Sequence, residues 1–394
     1  RGQAGRCESA DGKAPSINPV LRMIAMLTTW TGPFTAASHS EFVANFWQKQ
    51  PLLIRGFLDA SSLETYCPLS KDGLIGLSCD SSGSPSRLIR ESGGSRPWEC
   101  RRGPFRAADF ASLPDDGSQP WTLLVSGVDR ALEPVEALRE SPSLFSFAPR
   151  WRLDDVMVSY APPGGSVGAH VDNYDVFLLQ GSGTREWSIE GEPRASGDEA
   201  LVAGLDVRVL SRFDSSVTCE LKPGDALYLP PRYAHEGIST SKDCLSYSVG
   251  FRAPSAAELL TSLASHVSAT NTVLSEEVRY TDADLVFDPS GGGRGSVDAY
   301  AVEKVRGLVR QAVEGLLNDD VAFEEWVGTA LTAPKSGLPA SAARREVASA
   351  VEEVDDDDDE EEVLSGGFGG GPLELGPAGQ EAMADWIRSL EEEE

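Results

Sequence analysis

The spacing of apolar and polar positions changes period more than once along this chain. After Ser40, Phe42, Phe46 and Trp47 fall at helical spacing and predict a helix. Pro51-Leu52-Leu53-Ile54-Arg55 then reads as a strand, and Trp121-Thr122-Leu123-Leu124-Val125 as another. Between them, residues 80–104 are rich in Ser, Gly, Pro and Arg, which predicts a loop or insertion. From Val156 onward, short β-rich runs predict strands over 156–160, 175–180, 184–189, 226–229 and 245–251. They are separated by Pro162-Pro163-Gly164-Gly165, Gly181-Ser182-Gly183, Pro223-Gly224-Asp225 and Pro230-Pro231, the pattern of an all-β sandwich or barrel.

Past Phe251 the period becomes helical. Ser255 and Glu258 have the spacing of a capping box, and Leu259, Leu260, Leu263, Ala264 and Val267 follow on one face. Val302, Val305, Leu308, Val309, Ala312, Val313, Leu316 and Leu317 predict a second helix with a wide apolar stripe. Three glycines at 291–293 predict a flexible link between the two. From about residue 334 the chain turns polar and then acidic, with an unbroken acidic run over 355–362 and a Gly-rich stretch over 366–371. Self-repelling runs of this kind are usually disordered, leaving only 382–390 as a short helix candidate. The expected organisation is an N-terminal extension over 1–39, expected to be disordered, and a β core over 40–254. A helical region over 255–333 and an acidic tail over 334–394 complete it.

Composition narrows the function classes. The net charge is −28, but residues 351–394 alone hold 17 acids and one base, leaving 45 acids and 33 bases elsewhere. Direct nucleic-acid binding is disfavoured, because phosphate contacts need clustered Lys and Arg. A basic protein partner is electrostatically favoured. No apolar run has the length of a membrane span. The six cysteines are widely and irregularly spaced with no CxxC pair, so reduced thiols in an intracellular protein are expected, the compartment being open. Residues 1–22 read either as the end of an organellar transit segment or as a disordered terminus.

The chemistry concentrates in few residues. Of four histidines, His170 stands two positions before Asp172, which places both side chains on one face of an extended strand. His235 follows 65 positions later, room enough for several strands to return it beside the pair. Two imidazoles and one carboxylate on one side of a metal leave the other positions open, a ligand set suited to non-haem Fe(II) and oxygen chemistry. Asp175 is a competing carboxylate on the opposite strand phase; facing substrate and stabilising a turn are equally open roles for it. In 184–189, alternation puts Arg185 with Trp187 and Ile189 on the apolar face. A buried Arg needs an anionic partner, either an internal carboxylate or a carboxylate-bearing cosubstrate. Gly164-Gly165-Ser166-Val167-Gly168 lacks the Lys of a phosphate loop and reads as a tight turn into His170. His39 and His266 read as structural or surface residues, and no GxSxG elbow supports a Ser-His-Asp site.

Three stretches carry a family resemblance. They are Pro163-Gly-Gly-Ser-Val-Gly-Ala-His-Val-Asp-Asn-Tyr-Asp-Val-Phe-Leu-Leu-Gln-Gly181, Pro223-Gly-Asp-Ala-Leu-Tyr-Leu-Pro-Pro231 with His235-Glu-Gly237, and Ser246-Tyr-Ser-Val-Gly-Phe-Arg-Ala-Pro254. With flanking segments, roughly residues 40–330 resemble the JmjC-type ribosomal oxygenases, above all the bacterial branch that hydroxylates an arginine of a large-subunit protein. The resemblance implies a mainly β fold: a double-stranded β-helix (jelly-roll, cupin) core followed by a helical dimerisation region. It implies Fe(II) held by His170, Asp172 and His235, and 2-oxoglutarate anchored by Arg185, with O2 as second cosubstrate. The implied partners are a basic ribosomal protein as substrate and a second copy of the chain through 255–333, with no nucleic acid and no membrane. The winged helix with which family members continue is expected to be absent or degenerate, because the chain is acidic and Gly-rich there. The rival expectations are a cupin-fold scaffold that no longer catalyses, and an oxygenase of another target such as a histidine or a histone lysine.

Overall fold

The computed structural model describes residues 27–32, 34–80, 84–91, 98–205, 207–270, 280–281 and 299–332. The expected glycine link at 291–293, the acidic tail over 334–394 and the possible transit segment lie outside these residues. Among the described residues twelve strands are formed: β1 Thr28–Thr31, β2 Leu52–Arg55, β3 Ser86–Glu91, β4 Trp98–Arg102, β5 Trp121–Val125 and β6 Leu153–Ala161, then β7 Val176–Ser182, β8 Arg185–Ile189, β9 Val217–Leu221, β10 Ala226–Leu229, β11 His235–Ser239 and β12 Cys244–Phe251. Nine join in the order β1-β2-β10-β7-β12-β6-β5-β3-β4, and three in the order β11-β8-β9.

The central strand β7 shows why the sequence folds into layers. Its apolar run has no alternation because both faces are covered. Val176 and Leu178 point inward to meet Trp187, Ile189, Cys219 and Leu221 of the small sheet, forming the core between the two sheets. Phe177 and Leu179 point outward into a larger aromatic core. That core is closed by helices His39–Asn45, Lys71–Cys79 and Glu133–Arg139, through Phe42, Leu74, Leu77, Val135 and Leu138. Two sheets with the small one capping an inner apolar layer make the double-stranded β-helix that the family resemblance implies.

Several expectations need correction. Residues 80–104 are not simply a loop: β3 and β4 pair antiparallel, and β3 also pairs with β5. Consecutive Leu88 and Ile89 are both buried, so this strand lacks alternation and its Gly- and Ser-rich flanks dominate the sequence signal. The expected disordered extension over 1–39 contains β1, parallel to β2, and buried Phe34 and His39. The segment of His170 and Asp172 is not a regular strand, since only His170 has a ladder partner. Finally, β9 and β11 escaped the pattern, because Val217–Leu221 follows a polar loop and His235–Ser239 carries a glycine at its centre.

The capping box is present: the Ser255 amide donates to Glu258 Oε2 at 2.7 Å and the Glu258 amide to Ser255 Oγ at 3.1 Å. It starts helix Ala256–Thr270, which packs Leu259, Leu263 and Val267 against helices Ala299–Leu317 and Asp320–Thr332 around Leu316 and Trp326. Leu260, expected on the packed face, is exposed, and so are Val302, Val305 and Val309 of the predicted stripe. Among the described residues, no helix is long and apolar enough to cross a membrane.

Candidate metal centre

Two segments far apart in sequence meet through a single bridge. The backbone N–H of His170 donates to the carbonyl of His235, and the N–H of His235 returns the bond, both at 3.0 Å. This sets the imidazoles side by side, with ring centres 4.3 Å apart and planes tilted by 57°. The approach to His170 is set by Gly168, whose φ of +79° suits glycine and whose added Cβ would lie 2.8 Å from Val209.

Each ring is locked in the same tautomer. His170 Nδ1 lies 2.9 Å from the carbonyl of Gly168, and His235 Nδ1 lies 2.9 Å from the carbonyl of Tyr233. A carbonyl can only accept, so each Nδ1 carries the proton and each Nε2 presents a lone pair. Both lone pairs point at one carboxylate: Asp172 Oδ2 is 4.0 Å from His170 Nε2 and 3.7 Å from His235 Nε2. All three potential ligand atoms lie within 4.8 Å of one another, and among the described residues no other His, Cys, Asp or Glu group does this. Burial, reinforced by the neighbouring His170, pushes the His235 imidazole down to about 4, so it stays neutral and able to ligate. The His170 and Asp172 side chains remain about a quarter exposed, so the cluster opens to solvent on their side.

Arg185 lies deeper on the same surface. Ladder pairing sets Ile189 opposite His235 and Arg185 opposite Ser239, four positions and about 13 Å along the strand. Arg185, Trp187 and Ile189 all face inward, as alternation predicts, and Arg185 is 2% exposed. Its Nε and one terminal nitrogen have no hydrogen-bond partner among the described residues. Its guanidinium lies 5.8 Å from the centre of the Trp187 ring, which lies over Gly237, where a Cβ would come within 2.7 Å of the indole. A buried, permanently charged fork without an anion is costly unless a ligand supplies one. The residues thus suit a divalent metal at one end and a carboxylate at the other.

The other sequence candidates fall outside this cluster. Both oxygens of fully buried Asp175 are occupied: Oδ1 by the Tyr228 hydroxyl at 2.7 Å, Oδ2 by Gln48 Nε2 and Arg152 Nη2 at 3.0 Å each. His39 is buried among Phe34 and Phe147, 3.3 Å from Ser146 Oγ, and is structural. The orienting carbonyls of Gly168 and Tyr233 were not found by sequence reasoning, since backbone atoms leave no residue-type signal.

Residues 142–259 match the family model of the JmjC domain. The chain is 34% identical over 292 residues to the ribosomal protein uL16 3-hydroxylase of Escherichia coli, covering 73% of this chain and 69% of that protein. It is 34% identical over 220 residues to a Haemophilus influenzae protein named "Probable ribosomal oxygenase", covering 56% of this chain but only 50% of that one. Among solved structures, the E. coli ribosomal oxygenase YcfD in complex with cobalt and 2-oxoglutarate superimposes with a TM-score of 0.57 at 31% identity, covering 77% of this chain and 73% of YcfD. The fold, the convergent site and these likenesses agree, and the chain belongs to the JmjC-domain ribosomal oxygenases, a family of Fe(II)- and 2-oxoglutarate-dependent dioxygenases.

Proposed function

We propose that this chain hydroxylates a side chain of a ribosomal protein, an arginine of a large-subunit protein, with His170, Asp172 and His235 as iron ligands and Arg185 as the anchor of 2-oxoglutarate. The observation that carries the reading is a three-ligand cluster on the same inner surface as a buried arginine, two of whose nitrogens have no partner among the described residues. When bound, Fe(II) couples the oxidation of 2-oxoglutarate by O2, giving succinate and carbon dioxide, to insertion of one oxygen atom into a substrate C–H bond.

The protein's own residues supply position and environment. The carbonyls of Gly168 and Tyr233 hold the Nδ1 protons, so both Nε2 lone pairs face the metal position. Asp172 contributes the negative charge that two neutral imidazoles lack. Arg185 meets the far carboxylate with two donors, which fixes the direction in which a dicarboxylate lies. The apolar layer of Leu178, Trp187, Ile189 and Leu229 keeps water from the inner end. The open side beside His170 and Asp172 is left for the protein substrate, and the chain's negative charge favours a basic one.

The same reading includes a homodimer through 255–333, supported by exposed Val302, Val305 and Val309 on a helix with an otherwise packed neighbour. Light scattering on the purified chain tests it, with a monomer mass counting against it. For the activity, the protein is supplied with Fe(II), 2-oxoglutarate and isolated ribosomal proteins, and peptides are searched for the gain of one oxygen atom. Arginine of a large-subunit protein is the expected carrier. An equal yield from His170→Ala would sink the proposal, and a modified histidine or lysine would redirect it.

A further inference from the structure

His170 is fixed by its ladder bond to His235, but Asp172 has no strand partner among the described residues. Its backbone carbonyl instead accepts from the N–H of Arg232 at 2.8 Å. Arg232 sits in the turn between β10 and β11, three residues before His235, at φ +74°. That left-handed conformation is uncommon for a residue with a side chain and has a cost. Each of the three guanidinium nitrogens is engaged. One terminal nitrogen donates to Asn173 Oδ1 at 2.8 Å, Nε to the Arg194 carbonyl at 3.1 Å and the other terminal nitrogen to the Ala195 carbonyl at 2.7 Å. An ion pair with Glu199 completes the set. The backing loop is itself anchored: Arg194 forks onto both oxygens of Glu190, and its N–H donates to the Arg232 carbonyl at 2.9 Å.

We infer that Arg232 is a positioning residue for the metal centre: it clamps the Asp172-Asn173 segment to the turn that delivers His235. The inference rests on the proposed metal role of His170, Asp172 and His235. Without the clamp the two imidazoles keep their mutual geometry, because their own backbone bridge holds them, while the carboxylate loses its fixed place. The centre then weakens at one ligand of three, with the fold intact.

The test is anaerobic titration of the full chain with Co(II), read by ligand-field absorption, with no cosubstrate present. Arg232→Gly removes the guanidinium but keeps the amide and suits the left-handed backbone. It is expected to weaken Co(II) binding about 10-fold or more and to alter the absorption band, in line with the usual cost of losing an orienting partner of a ligand. Asn173→Ala, at an exposed side chain, deletes one acceptor of the clamp and is expected to weaken binding less, in the same direction, with an unchanged melting transition. It serves as the reporter if the glycine variant does not fold. Wild-type affinity and spectrum in both variants would overturn the inference. Failure of the wild-type chain to take up Co(II) would overturn the metal reading itself, a separate outcome.

Discussion

Asp172 and Asp175 lie three residues apart, yet they serve different ends. Asp175 is fully buried, with three donors on its two oxygens, binding helix His39–Asn45's end, strand β10 and Arg152 into one knot. Asp172 is partly exposed and faces two imidazole lone pairs that offer it no proton. A buried polar group whose partners are all present is holding the fold. A convergent, partly open set of donor atoms suits a ligand instead, and so does Arg185, two of whose buried nitrogens find no partner among the described residues.

The largest effect that sharpens the contrast is loss of the centre. Asp172→Ala is expected to reduce hydroxylation and Co(II) uptake to background while the melting transition of the metal-free chain hardly moves. A large fall in that transition would place Asp172 among the structural groups instead. Next comes the opposite pattern. Asp175→Ala strands Arg152, and breaking a buried pair in this way costs about 4 kcal/mol, measurable by urea denaturation. The fraction still folded should bind Co(II), and a folded variant unable to bind it would erase the distinction.

Arg185→Met comes third. Losing a charge-assisted contact worth about 2.7 kcal/mol corresponds to roughly 100-fold weaker 2-oxoglutarate binding, followed by anaerobic titration of the Co(II) form. Co(II) affinity itself should hold. The same substitution removes an uncompensated buried charge, so the ligand-free protein should gain stability by about 1 kcal/mol. A loss of stability would mean that Arg185 has a partner within the fold. The smallest effect is chemical: burial pushes the Cys219 thiol up to about 11 and the Cys67 thiol higher still, so both should resist alkylation at pH 8 until the chain unfolds. Fast labelling in the native protein would show that these layers open.

The site was more legible than the scaffold around it. His170, Asp172 and His235 stand out because histidine is scarce in this chain and the spacing is short, and Arg185 because strict alternation places it among apolar neighbours. The role of Asp175 was not legible, since Gln48, Arg152 and Tyr228 reach it from distant parts of the chain. Strands β3 and β4 were hidden because their local composition favours loops while the ladder to β5 favours strand. Arg232 left no signal, because a left-handed arginine reads in sequence as any surface arginine.

The reciprocal pair of backbone hydrogen bonds between His170 and His235 has a consequence for assembly. The two proposed ligand carriers are separated by the whole of β7 to β10, and the bridge joins them where β11 lies beside β8. Contacts of such long sequence separation are late to close in a folding chain. A half-made protein therefore exposes a His and an Asp but not a complete pocket. On the proposed ligand set of His170, Asp172 and His235, the complete set therefore assembles only once these distant segments have met.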